Sequence, residues 1–192
     1  MWPRLGTSKL ISQWMIVTLI ASFIAAIDGG WLVGRAALIP SRVLQGEVWR
    51  LVTWPFIALG PLEIIFTVLA IFRFGSRLAE SWGDWRLLRF MTEIVLTAAV
   101  ATCLLALRAG QHYQLHIGGW AVVNTLVIAW ARQFPTETLT LYNLVPLSSR
   151  RLITVTIGAN VLLAIYLGPL AVAPALIACA AATVYPPRWL MR

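Results

Sequence analysis

From Leu152 to Tyr185 the chain carries no charged residue at all. As one helix that stretch would run about 50 Å, against a hydrocarbon core of about 30 Å, so it has to fold back on itself. Gly168-Pro169 is the natural break, because Gly accepts a turn conformation and Pro can open the next helix at its first position. Pro186-Pro187 then stops the second of the two helices. Four further apolar segments precede this pair: Leu10 to Ile27, Leu62 to Leu78, Leu87 to Leu107, and Leu115 to Ala131. With Leu152 to Leu167 and Leu170 to Tyr185 they make six, and the fold they predict is an all-α polytopic bundle. The solvent is lipid, since 60% of the residues are hydrophobic and only 11% charged. Several spans hold only about 16 or 17 residues, roughly 25 Å of helix, so the bilayer beside them thins or flanking side chains snorkel.

The basic residues orient the bundle. With the N-terminus inside, Arg4, Lys9, Arg73, Arg77, Arg86, Arg89, Arg132, Arg150, Arg151, Arg188 and Arg192 fall on one side, and Arg35, Arg42, Arg50 and Arg108 on the other. That asymmetry predicts both termini in the cytoplasm and an even number of spans. The net charge of +8 is scattered between apolar spans and forms no single stripe, which argues against nucleic acid and for anionic lipid headgroups. All basic residues but Lys9 are Arg, a bias of GC-rich genomes that suggests a bacterial inner membrane. Arg4 and Lys9 ahead of an apolar run resemble a signal peptide, yet no small-residue cleavage site precedes Asp28-Gly29-Gly30, so the run is expected to stay as a first helix. The chain, 1–192, reads as one membrane domain with no internal repeat.

One long connection lies on the outer side, Asp28 to Pro61. Its core, from Gly46 to Phe56, interleaves Trp49, Leu51, Trp54 and Phe56 with a single cation, Arg50, and is expected to lie in the membrane interface. The pattern Gly46-x-x-Trp49-Arg50-Leu51-x-Thr53-x-x-Phe56 resembles the first-loop signature of the rhomboid and derlin superfamily. Phe74-Gly75-Ser76-Arg77-Leu78-Ala79-Glu80-Ser81-Trp82-Gly83-Asp84-Trp85-Arg86 is similar to the end of that superfamily's second helix and its following turn. Ala79 departs from the pattern, with Glu80 one place later than the family's usual Glu. Trp130-Ala131-Arg132-Gln133-Phe134-Pro135 and Asn143-Leu144-Val145-Pro146-Leu147 are derlin-like, and the likeness covers residues 44 to 185 in order.

The resemblance implies a six-helix rhomboid-like bundle and also implies what is missing from it. A rhomboid protease carries Gly-x-Ser-Gly at the start of the fourth helix and a His on the sixth. The corresponding stretch here is His116-Ile117-Gly118-Gly119-Trp120, with Gly118 where the nucleophile would stand, and no His occurs from Ala178 to Tyr185. Nucleophilic catalysis needs a hydroxyl or thiol beside a base, so a pseudoprotease is expected.

Other polar residues invite a bland reading first. His112 and His116 have the i, i+4 spacing of a helical zinc pair, but no carboxylate or thiol clusters with them, so no metal or cofactor is expected. Cys103 and Cys179 sit in apolar runs as small buried hydrophobes. Glu93 lies inside a span, where an unpaired charge is costly, and Arg73 lies about as far before the Gly83-Asp84 turn as Glu93 lies after it. An ion pair between helices two and three is therefore expected. Asn124 and Asn160 fall near the middle of helices four and five and are expected to hydrogen-bond. Trp49, Arg50, Trp54 and Phe56 are candidates for partner contact or gating, with simple interfacial anchoring as the competitor. The expected function is lateral binding of other membrane proteins in quality control or assembly. A fixed subunit of a larger membrane complex is the alternative, and an active protease is disfavoured by the missing pair of residues.

Overall fold

The computed structural model describes residues 8–141 and 145–184. Arg4, Asn143, Leu144, Tyr185, the Pro186-Pro187 stop, Arg188 and Arg192 lie outside the described residues. Helix α1, Lys9–Ile27, starts where the Ser8 hydroxyl accepts from Ile11 N at 3.2 Å. The Asp28 carboxylate then accepts from Gly30 N and Leu32 N at 2.8 and 2.7 Å and opens the first loop. That loop contains three short helices: α2, Trp31–Ala36; α3, Pro40–Leu44; and α4, Arg50–Thr53, which tightens into a 3-10 turn over Trp54–Phe56. The chain bends by 99° before the second long helix, which runs as α5, Pro61–Ala70, a π-helical turn at Ile71–Gly75, and α6, Ser76–Trp82.

Gly83 alone separates α6 from α7, Asp84–Arg108. Its φ of +86° lets its own N–H close α6 on Ala79 O while its carbonyl opens α7 by accepting from Leu87 N, and L-residues with side chains rarely adopt that φ. Helix α8 spans Gly119–Gln133, α9 Ser149–Leu167 and α10 Ala173–Val184. The bundle is thus all-α in its principal elements, with one addition: Thr138–Leu141 (β1) pairs antiparallel with Val145–Ser148 (β2) in the connection from α8 to α9. Arg77, 3.0 Å from Glu137 and 3.4 Å from Glu80, ties this connection to α6. The Ser149 hydroxyl lies 2.6 Å from Phe134 O and 2.8 Å from Glu137 O and fixes the start of α9.

Helices α1, α7 and α9 are each long and apolar enough to cross a bilayer, and the bent pair ending in α5–α6 supplies a fourth candidate span. Helix α8, with 15 residues, reaches only about 22 Å, and α10 is described over 12 residues, to Val184. Both are interior elements: α8 is buried over nearly all its length, and α10 packs on α7 and α8 together. Ala178, Cys179 and Ala182 give α10 the narrow profile that this close approach requires. Phe90, Ile94, Leu126, Ile128 and Trp130 fill the core between them.

Several expectations need correction. The second half of the long apolar stretch begins its helix at Ala173, four residues later than Pro169, with Pro174 instead in the first turn. Leu115 to Gly118 is not helical, because Leu38 and His116 exchange backbone hydrogen bonds at 2.9 Å in each direction, which draws that strand-like piece onto the first loop. His112 and His116 therefore do not share a helix face. Nor do Arg73 and Glu93 pair: the Glu93 carboxylate accepts from Arg89 Nε at 2.8 Å, one turn earlier on α7. Arg73 falls in the π turn, whose extra residue rotates it relative to the face that continues into α6. An i, i+4 partner on the same helix needs no such alignment.

Candidate functional site

The first loop is organised around Arg50, which is 3% exposed. Its Nε donates to Glu47 Oε2 at 2.6 Å, Nη1 to Ala37 O at 2.7 Å and Nη2 to Gly34 O at 2.6 Å. One guanidinium thus joins the end of α2 to the start of α4, using the rigid fork that Lys lacks. Thr53 adds a bond to Ala36 O at 2.8 Å. With Arg50 fixed, the 3-10 turn directs Trp54 inward, fully buried, onto the beginning of α8. Of the four residues expected to contact partners, Arg50 and Trp54 are therefore turned into the protein. Trp49 is 52% exposed, with its Nε1 bonded to Arg35 O at 3.2 Å, and Phe56 is half-buried.

Below this turn lies the stretch 116–120 at the start of α8. Gly118 N donates to Ile57 O at 3.3 Å, and Trp54-Pro55 lies directly over Gly118 Cα. A Cβ at residue 118 would overlap Pro55 Cα and stand 2.8 Å from Trp54 Cε3 and 2.9 Å from Pro55 N. The space beside Gly118 is thus filled by the Trp54-Pro55 turn. At Gly119 a Cβ would stand 2.6 Å from Glu63 Oε1, 2.9 Å from Thr67 Oγ1 and 3.0 Å from Ala58 Cβ. His116, 3% exposed, acts through its backbone pairing with Leu38. Among the described residues α10 carries Ala178, Cys179, Ala180, Ala181 and Ala182 and no imidazole. No group of three or more His, Cys, Asp or Glu side chains among the described residues is arranged to hold a metal.

Glu63 escaped the sequence reading. In Pro61-Leu62-Glu63 an acidic residue in a first helical turn looks ordinary, since carboxylates favour helix N-termini. The structure buries it to 6% exposure, where Oε2 accepts from Leu59 N at 2.9 Å and Oε1 from Trp120 N at 3.3 Å. Ser22 of α1 accepts from the adjacent Ala58 N at 3.1 Å. The only sequence signal was negative: Glu63 has no basic residue within a helical turn on either side.

Helices α5 and α9 flank α8, and α9 packs on α8 and α10. On α9 only Ser149 and Asn160 are buried, while Val155, Leu162, Ile165 and Tyr166 are largely exposed. Asn124 Nδ2 donates to Asn160 Oδ1 at 3.0 Å, and Asn160 Nδ2 donates to Thr156 O at 2.8 Å. Leu62, Ile65, Phe66 and Leu69 of α5 are exposed as well, and Phe66 pairs with the half-exposed Trp120 at a ring separation of 6.0 Å. We expect Asn124→Ala to weaken the seating of α9 by about 0.5–2 kcal/mol. A double-mutant cycle with Asn160→Ala in detergent unfolding measures it, and strictly additive losses would refute the coupling.

A Rhomboid domain family model matches residues 45–184. Derlin-1 of Oryza sativa subsp. japonica is 30% identical over 118 residues, covering 60% of this chain and 47% of that protein. Derlin-1 of Arabidopsis thaliana is 33% identical over 116 residues, covering 59% of this chain and 42% of its own length. The chain spans less than half the length of these curated relatives. The family match takes in the Arg50-centred loop, the sealed start of α8 and the alanine-lined α10, and by that match the chain belongs to the rhomboid family.

Proposed function

We propose that this protein is a non-catalytic rhomboid-like membrane protein that binds other membrane proteins sideways, within the bilayer, in quality control or assembly. The observation that carries this reading is the lateral face flanking α8. There α5 and α9 both present apolar side chains outward, and α9 is held to the bundle with only two of its residues buried. A transmembrane segment fits such a face by van der Waals packing, with the half-exposed Trp120 at its edge. The derlin relatives support the quality-control sense of the proposal. The short α8 favours a locally thinned bilayer, which lowers the barrier to holding a polar stretch of a partner. The charge asymmetry of the sequence supports cytoplasmic termini, and its Arg bias supports a bacterial inner membrane.

Photocrosslinkers placed in turn along α5 and α9, in the first loop, and in the connection 132–151 test this. Partner adducts from the first two sets are expected. Adducts confined to the connection would sink the lateral reading. A second reading, a fixed subunit of a larger complex, has one observation in its favour. On the α7–α10 side, a groove of about 400 Å³ lined by Glu93, Ile94, Leu96, Thr97 and Ala181 offers a seat for a neighbour. Copurification of one partner at constant stoichiometry in mild detergent would support it over the first.

A further inference from the structure

Helix α7 carries a polar row on its outer side, at a depth where apolar side chains are the rule. Its inward face holds Leu87, Phe90, Met91, Ile94, Ala98 and Cys103, all buried. The outer face is apolar in its second half, where Val100, Leu104 and Leu107 are exposed. In the first half the same face carries Arg89, Glu93 and Thr97, each one turn from the next, with Thr92 beside them. The Arg89 side chain is 66% exposed and that of Glu93 36%, and both threonines are exposed. A hydrocarbon core of about 30 Å takes about 20 residues of helix, so counted back from Arg108 it begins near Leu88. Glu93 then lies about 7 Å inside it and Thr97 near its middle. Ionisable groups at such depth normally face the bundle interior or water, whereas this row faces outward. It borders the groove of about 400 Å³ that Glu93, Ile94, Leu96 and Thr97 of α7 form with Ala181 of α10.

Hydrogen bonding within the row leaves it rich in acceptors. The Thr92 and Thr97 hydroxyls donate to Leu88 O and Glu93 O at 2.9 and 2.7 Å, so their protons are engaged on their own helix and their oxygens can still accept. Arg89 Nε donates to Glu93 Oε1 at 2.8 Å, while Oε2 has no hydrogen bond among the described residues. Lipid tails offer no donor to such a row, and a polar group left unmatched in hydrocarbon is costly. We infer that this face of α7 docks a transmembrane segment of a partner protein that carries an amide side chain, Asn or Gln, at the depth of Glu93. The amide N–H donates to Glu93 Oε2, and Ala181 keeps the far wall of the groove low enough for the partner helix to come close. A neutral donor fits better than a cation, because Arg89 already balances the carboxylate. Two other occupants match worse. An anionic phospholipid presents phosphate oxygens, which are acceptors like those of the row. A second copy of this chain, inserted in the same direction, would set Glu93 against Glu93 at one depth. The site shares no residue with the α5–α9 face and does not depend on it, and it serves a transient or a permanent neighbour alike.

Resonance energy transfer between the labelled full chain and a labelled single-span peptide in phosphatidylcholine vesicles tests the docking. The peptide is a Leu-Ala helix with one Asn about five residues inside its apolar run, the depth of Glu93, and the control peptide has Leu there. The Asn peptide should associate about threefold to thirtyfold more tightly than the control. Glu93→Leu should abolish that preference, and Glu93→Gln, which keeps a carbonyl acceptor, should retain part of it. Thr97→Val, a nearly isosteric change at an exposed position, should lower the preference without disturbing the fold, and it carries the test if Glu93→Leu does not insert. Equal binding of the two peptides overturns the proposal, as does a preference that survives in Glu93→Leu. Loss of the preference when phosphatidylglycerol is added would give the face to lipid, and transfer between two labelled copies of the chain that vanishes in Glu93→Leu would give it to a second copy. Either result also overturns the proposal. Failure of the α5 and α9 crosslinks with the Asn preference intact would reject the lateral reading alone.

Discussion

Replacing Gly118 by Ser should unfold the first-loop end of the protein rather than create a hydrolase. The obstruction at residue 118 is Pro55 backbone and the Trp54 ring, so no rotamer of the new side chain relieves it. The 3-10 turn would have to move, and with it Trp54, one of the largest fully buried side chains. Overpacking against a side chain costs about 1–3 kcal/mol, and against fixed backbone the loss should lie at or beyond the upper end of that range. Gly118→Ala should be as damaging as Gly118→Ser, since the clash begins at Cβ. Unfolding in detergent measures the loss, and fluorophosphonate labelling of both variants and the wild-type protein should give no specific adduct. A Gly118→Ser protein that keeps wild-type stability and labels at the new serine would show that the loop does not seal this position.

Arg50 should be the most damaging charge to remove. Truncation to Leu leaves Gly34 O, Ala37 O and the Glu47 carboxylate without the donor that joins them, in a part of the loop where the guanidinium is 3% exposed. Breaking a buried charge network by deleting one member costs about 3–5 kcal/mol. Arg50→Lys keeps the charge but cannot reach three acceptors in one plane, so it should recover only part of the loss. Trp49→Leu, one residue earlier, should cost much less, because its ring is half-exposed and its one hydrogen bond lies at the surface. The comparison separates two roles for this dipeptide. If Arg50→Leu left stability unchanged and abolished partner crosslinks, Arg50 would be a contact residue after all, and the inward network would be incidental.

These two residues also mark how far the sequence could be read. Helix positions were legible wherever charge, Gly and Pro punctuate the apolar pattern, as at Gly83 and Gly168, because those limits are set locally by backbone conformation and hydrogen-bonding needs. The start of α8 was misplaced because what ends the helix there is a pairing with Leu38, far away in the chain. Arg73–Glu93 failed for a related reason: equal distance from a turn predicts depth, but not which face a side chain occupies once a π turn intervenes. The Gly118 vacancy was visible as a missing hydroxyl, whereas its closure by Pro55 was not, since close approach of two backbones leaves no mark in either segment alone. Glu63 shows the limit most clearly. A charge in a first helical turn looks solvated until the fold shows what covers it.

The placement of α9 bears on how the chain assembles as it is made. Helix α10 packs against α7 and α8, yet α9 lies between α8 and α10 in sequence and contributes little to the interior. During synthesis the membrane therefore receives α9 before the helix that completes the core. The growing chain has to leave α9 at the periphery while α10 finds its slot. The β1–β2 pairing and the Ser149 anchor at one end, with the Gly168 turn at the other, give α9 two short tethers that hold it beside the bundle without requiring it to pack. In kinetic terms α9 is a detour in the path of the chain: its docking can come last without delaying closure of the core.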